Sequence, residues 1–149
     1  MTGEEFIKEL DKKGYSYEIE GDKIVVTYEM GVDLRSLTSL PPGVEFNNGG
    51  SIDLYYLTSL PPGVAFRNGG SVNLNSLTSL PPGVEFNSEG YVDLGALTSL
   101  PPGVVFKNRG RVYLRSLTGR WFDEWKGNIE GIEPKRLLNK MISLGIFER

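Results

Sequence analysis

Val32-Asp33-Leu34-Arg35-Ser36-Leu37-Thr38-Ser39-Leu40-Pro41-Pro42-Gly43-Val44-Glu45-Phe46 is written three more times downstream with few changes, from Ile52, Val72 and Val92, and a truncated fifth copy runs from Val112 to Thr118. Residue n and residue n+20 are therefore often identical. A period of this length marks a solenoid, in which one unit cannot bury its apolar side alone and must stack on its neighbours. Six apolar positions recur in every full unit: Val32, Leu34, Leu37, Leu40, Val44 and Phe46 in the first. Val-x-Leu and Val-x-Phe alternate with the period of two that short strands with one buried face require, so each coil carries about two strands. Between them Pro41-Pro42-Gly43 supplies a turn, proline fixing φ near −65° and glycine accepting the positive φ of a type II turn. Asn47-Asn48-Gly49-Gly50 reads as the other corner, rich in residues that accept left-handed backbone.

Coils stacked in parallel at about 4.8 Å make four and a half units a column roughly 20 Å long. Each inward side chain stabilises by about 1.5–3 kcal/mol when buried, which offsets much of the cost of ordering the backbone. Thr38, Thr58, Thr78, Thr98 and Thr118 form an unchanging column between two inward leucines. A catalytic threonine would occur once, so this column is expected to satisfy backbone groups at a bend.

The flanks read as covers for the open ends of the stack. Thr2 with Glu5 forms a capping-box pattern, Phe6, Ile7 and Leu10 share one helix face, and Gly14 ends that helix. Residues 15–19 and 24–28 alternate as two strands around Gly21-Asp22. After Thr118 the repeat stops, Trp121, Phe122 and Trp125 follow as bulky lids, and 134–144 reads as a helix stopped by Gly145. The expected fold is mainly β: a parallel β-solenoid over 31–118, with an α/β cap over 1–30 and a helical cap over 119–149, forming one domain.

Composition narrows the function. With 39% apolar residues the 149-residue chain can bury a core. It has no cysteine and no histidine, which excludes disulfides, thiolate chemistry, imidazole metal ligands and the histidine-based triads. Met1-Thr2-Gly3-Glu4-Glu5 opens no basic-then-apolar leader, and no segment approaches the roughly 18 apolar residues of a membrane span, so a soluble cytoplasmic protein without membrane association is expected. Net charge is −3, unevenly spread: residues 1–30 carry four Lys against eight acids, 31–118 balance at six against six, and 119–149 carry six against five. Within the repeats the acids come early, whereas Lys107, Arg109, Arg111 and Arg115 come late, giving the column a basic end.

Val32-Asp33-Leu34 followed by Leu37-Thr38-Ser39-Leu40-Pro41 resembles the leucine-rich-repeat family over 31–118, and the wording Leu-Thr-Ser-Leu-Pro-Pro-Gly-Val is similar to short proteins of bacteria and phages, most of them without assigned function. The resemblance implies a binding scaffold and carries over no catalytic residue. Only Arg35 and Ser36 stand between Leu34 and Leu37, so the asparagine ladder that the family places there is missing, which favours a straighter column over a horseshoe.

Three sets of outward residues are candidates. With Val32 and Leu34 inward, Asp33 points out, above it Asp53, Asn73, Asp93 and Tyr113. Like charges about 4.8 Å apart repel by a few tenths to about 1 kcal/mol in solvent, so such a row suits a basic partner or mimicry of a phosphate backbone, although acidic outward residues also keep a sheet soluble. Tyr55, Tyr56, Tyr91 and Tyr113 occupy variable outward positions, as interface anchors do and as cross-strand packing also would. Lys107, Arg109, Arg111, Arg115 and Arg120 with Trp121 suit an anion such as a nucleotide, helped by Lys135 and Arg136 at a helix start; pairing with the acids of 119–149 is the structural alternative.

The reading reached from sequence is a non-enzymatic repeat scaffold that binds another protein through Asp33, Asp53, Asn73, Asp93, Tyr55, Tyr56 and Tyr113, with no cofactor and no metal. The alternative is a phage-encoded inhibitor of a host defence system, acting by nucleotide sequestration or by acidic mimicry of nucleic acid. Head-to-tail homo-oligomers are a third reading, from the acidic front and basic back.

Overall fold

A computed structural model describes residues 1–101 and 103–116. The bulky lids at 121, 122 and 125 and the helix expected over 134–144 lie outside them. The described chain is a parallel β-solenoid with a repeat of twenty residues, opened by one helix and one hairpin.

Each coil contributes one strand to each of two sheets. Val-x-Phe segments form the first: β4 (Val44–Phe46), β6 (Ala65–Phe66), β8 (Glu85–Phe86) and β10 (Val105–Phe106). Val-Asp segments form the second: β3 (Val32–Asp33), β5 (Ile52–Asp53), β7 (Val72–Asn73), β9 (Val92–Asp93) and β11 (Val112–Tyr113). Every neighbouring pair within these two sets is parallel and in register at n to n+20, as Val32 on Ile52 and Phe46 on Phe66. Between the phenylalanine sheet and the aspartate sheet lies a continuous core of the recurring Val, Leu and Phe positions. Its spine is Phe46, Phe66, Phe86 and Phe106, stacked near-parallel with centroids 5.5, 5.2 and 5.4 Å apart. That offset stacking adds to the area term for four large buried side chains.

The proline corners behave as the sequence requires, with Gly43, Gly63, Gly83 and Gly103 at φ of 77–83°. The second corner does not. None of Gly49, Gly50, Gly69 or Gly70 has positive φ. Glycine is needed there because coils touch backbone to backbone: a Cβ on Gly49 would sit 2.1 Å from the Glu29 carbonyl oxygen, and one on Gly50 2.4 Å from the Gly31 nitrogen. The asparagine beside them is a ladder, not a left-handed residue. Asn48 Nδ2 donates to the carbonyls of Met30, Gly50 and Ser51, Asn68 repeats this with Gly50, Gly70 and Ser71, and Asn108 with Gly90, Gly110 and Arg111. An asparagine ladder is thus present, at the corner after the phenylalanine strands rather than between Leu34 and Leu37. Ser88 breaks it, buried with its hydroxyl unpartnered.

At the N-terminal end α1 (Gly3–Lys13) starts in a reciprocal Thr2–Glu5 capping box and stops at Gly14 in the left-handed region, with Phe6 and Leu10 fully buried. The helix and its exit finish the edge of β3. Asp33 has no preceding coil to bond, and its N–H donates to the Tyr15 hydroxyl at 2.9 Å while its carbonyl accepts from Lys13 Nζ at 2.6 Å. Strands β1 (Tyr17–Glu20) and β2 (Lys23–Val26) form the expected hairpin. Strand β2 also pairs in parallel with β4, Ile24 on Val44 and Val26 on Phe46, so the phenylalanine sheet begins twenty residues ahead of its first Val-x-Phe. Among the described residues no helix is long and apolar enough to cross a membrane.

Candidate functional site

The outward face of the aspartate sheet carries the expected column, each member beside the next in register: Asp33, Asp53, Asn73, Asp93, Tyr113. Its aspartates and asparagine share a local task. Oδ1 of Asp33, Asp53, Asn73 and Asp93 accepts from the backbone N–H two residues on, at Arg35, Tyr55, Asn75 and Gly95, over 3.0–3.2 Å. Each closes a turn whose other bond joins the N–H and carbonyl of flanking leucines, as Leu37 N–H to Leu34 at 3.0 Å. Asp or Asn at this position is therefore accounted for by turn geometry, and charge is the part left over.

At the N-terminal end of the column that charge is neutralised. The Arg35 guanidinium forms a fork on Asp33, Nε at 3.0 Å from Oδ1 and Nη2 at 2.8 Å from Oδ2, and its Nε lies 3.5 Å from Asp53 Oδ2. Hydrogen bonds from the Arg35 side chain and backbone hold the Asp33 carboxyl down to about 2, and the same pairing raises Arg35. The repulsion expected between Asp33 and Asp53 is relieved by a cation two residues along the chain. Asp93 accepts from the Gly95 N–H at 3.0 Å and from Asn75 Nδ2 at 3.2 Å on Oδ1 and 3.4 Å on Oδ2, and shares its recess with Arg115.

The tyrosines gather into two edge-to-face pairs. Tyr55 and Tyr56 have ring centroids 4.9 Å apart, and Tyr91 and Tyr113 5.6 Å. Tyr56 is 57% exposed and Tyr91 43%. The first pair stands beside the Arg35 end of the column, the second around Asp93. A shallow trough runs along Gly31, Ser51 and Ser71, with Tyr15 and Tyr91 in its lining. The Ser51 and Ser71 hydroxyls accept from the N–H of Ser71 and Tyr91 in the next coil.

Of the described basic residues, Lys107 and Arg109 are paired within the chain. Lys107 pairs with Glu85 at 3.3 Å and Arg109 with Glu89 at 2.9 Å, acids of the preceding coil rather than of the C-terminal segment, as Arg67 pairs with Glu45 at 3.4 Å. Lys107 follows the phenylalanine sheet, Arg109 lies on the glycine corner, and Arg111 and Arg115 flank β11 in the aspartate sheet. Arg120, Trp121, Lys135 and Arg136 lie outside the described residues. In the threonine column, Thr58 and Thr98 hydroxyls donate to the Thr38 and Thr78 carbonyls, the backbone role expected of them.

Arg35, Asn75 and Gly95, which donate to the carboxylates of Asp33 and Asp93, were not singled out from sequence. They occupy one variable column, 35, 55, 75, 95 and 115, reading Arg, Tyr, Asn, Gly and Arg, two residues after the aspartates. That spacing was the available signal, since an aspartate on a turn faces the residue at i+2. Compared with known proteins, the chain matches no family model, no curated protein and no solved structure.

Proposed function

We propose that the protein is a non-enzymatic repeat scaffold that binds another protein through the outward face of the aspartate sheet. The observation that carries this is the presence of two edge-to-face tyrosine pairs on one sheet face, with Tyr55, Tyr56 and Tyr91 exposed and Tyr113 half-buried. Tyrosines supply large contact area at low conformational cost, and interface energy concentrates in such anchors. The aspartates form a polar rim around them, with Asp53 and Asp93 offering carboxylate oxygens to donors on the partner. The resemblance to leucine-rich-repeat proteins points the same way.

The anion-binding alternative has less support, because Lys107 and Arg109 spend their charge on Glu85 and Glu89 on two other parts of the coil. Acidic mimicry is likewise weakened by Arg35 within the aspartate column. The test is an affinity pull-down with wild type beside Tyr56→Ala and Tyr91→Ala. We expect a protein retained by wild type and lost from both variants, with thermal midpoints moved by no more than exposed surface positions usually move them, about 0.5 kcal/mol or less. Equal retention by all three would overturn the reading.

A further inference from the structure

We propose that the free edge of β1 takes up an extended segment of a partner protein as an added strand, one with lysine or arginine at alternate positions. This surface is separate from the aspartate face and does not rest on the reading above.

The two sheets meet the N-terminal end of the column in different ways. In the aspartate sheet the last strand, β3, is finished by side chains: the Tyr15 hydroxyl accepts from the Asp33 N–H, and Lys13 Nζ donates to the Asp33 carbonyl. In the phenylalanine sheet the hairpin carries the edge one strand further, and among the described residues no strand lies beyond β1. Hydrogen bonding in an antiparallel pair alternates along the strand. The Thr27 N–H donates to the Ser16 carbonyl at 3.0 Å, so Ser16, Glu18 and Glu20 direct their backbone groups at β2, and Tyr17 and Ile19 direct theirs away from it. Their N–H groups and carbonyls line an unpaired edge of the kind that bonds an incoming strand.

The strand lacks the usual guards. Folded proteins protect an edge with proline, lysine, a bulge or an overlying element. Strand β1 reads Tyr-Glu-Ile-Glu, and its register runs without a bulge from Tyr17 on Val26 to Glu20 on Lys23. Glu18, Ile19 and Glu20 are all exposed, Ile19 by 62%.

Charge selects the occupant. Glu18 and Glu20 share one face of the strand, and among the described residues neither carboxylate has an ion-pair partner. Around them, residues 1–30 carry eight acids against four lysines. A second copy paired antiparallel about Glu18 or Ile19 sets glutamate against glutamate, which is destabilising. A strand with Lys or Arg opposite these glutamates gains from the same positions, and its remaining side chains, on the face of Ile19, suit apolar residues.

The test uses the full chain and a peptide probe, acetyl-(Lys-Val)3-amide, with amide hydrogen exchange read by NMR. In the free protein the Tyr17 and Ile19 amides should exchange fast. At saturating probe we expect both to slow at least tenfold. Two control peptides should leave them fast: acetyl-(Glu-Val)3-amide, which reverses the charge, and the lysine peptide N-methylated throughout, which keeps the charge and cannot pair. Replacing both acids, Glu18→Lys with Glu20→Lys, changes exposed positions only and should exchange the preference, so that the glutamate peptide protects and the lysine peptide does not. Tyr17 and Ile19 amides that stay fast with the lysine probe, equal protection by the N-methylated peptide, or an unchanged preference in the double variant each overturn the proposal. None of these readouts involves Tyr56 or Tyr91, so the strand-addition edge can fail while the pull-down through the aspartate face succeeds, and the reverse.

Discussion

The two sheets are built on the same twenty-residue period, yet their outward faces are finished differently. On the phenylalanine sheet, charged residues answer one another across coils, Glu45 with Arg67 and Glu85 with Lys107. On the aspartate sheet the carboxylates hold their own turns, one arginine neutralises the N-terminal end, and tyrosines project in pairs. Charges that are already partnered have less left for a ligand. The contrast is the reason we propose recognition on the aspartate sheet.

The heaviest way to break the contrast is to strike the shared core beneath both faces. Phe86→Ala removes the ring stacked between Phe66 and Phe106 and should destabilise by about 3–5 kcal/mol in chemical denaturation. A loss below about 1 kcal/mol would mean that the stack is not the spine of the fold. Next comes the asparagine ladder. Asn68→Ala forfeits three hydrogen bonds to backbone carbonyls at a buried site and should cost about 1–3 kcal/mol, while Ser88→Asn, which restores the rung, should gain about 0.5–1.5 kcal/mol. A destabilised Ser88→Asn would show that coil to have repacked around serine.

Smaller effects sharpen the comparison between the outer faces. Lys107→Ala breaks an exposed pair and should move stability by less than about 1 kcal/mol, with no effect on partner retention in the pull-down. Loss of the partner in this variant would move recognition to the phenylalanine sheet. The smallest is a pH effect on the aspartate column. The Asp33 carboxyl is lowered to about 2, so the native state favours its ionised form; that contribution is complete above the ordinary carboxylate value of about 4 and disappears as pH falls through about 2. Wild type minus Asp33→Asn, each unfolded by urea over this range, should shrink toward zero as pH drops. A difference that stays constant from pH 5 to pH 2 would contradict the Arg35 fork.

The fold was legible where a residue's task depends on its own coil. Val32, Leu34, Val44 and Phe46 announce strands by alternation, and Pro42-Gly43 announces its turn by chemistry. What escaped depends on the coil next door. Asn47 and Asn48 look alike in one unit, and only the column 48, 68, 108 keeps asparagine while 47, 67, 87 and 107 drift through Asn, Arg, Asn and Lys. The glycines at 49 and 50 likewise suggested unusual φ, when the constraint was a neighbouring carbonyl. Two of the ion pairs join residues 22 apart, diagonal neighbours that a comparison at n and n+20 passes over. Of the candidate site, the aspartate column and the tyrosines were legible because they stand outward on strands. The pairing of the tyrosines, and the reach of Arg35 from Asp33 to Asp53, required the stacked geometry.

The parallel register at n and n+20 also makes the solenoid a ruler. The Tyr55–Tyr56 pair and the Tyr91–Tyr113 pair stand on different coils of one sheet, whose coils are stacked in steps of about 4.8 Å. Inserting or deleting one twenty-residue unit between them would change that interval by a single graduation while leaving every turn, rung and ring stack as it was. Selection could thus tune the spacing of two anchors in discrete increments, by copying existing sequence, without redesigning either anchor.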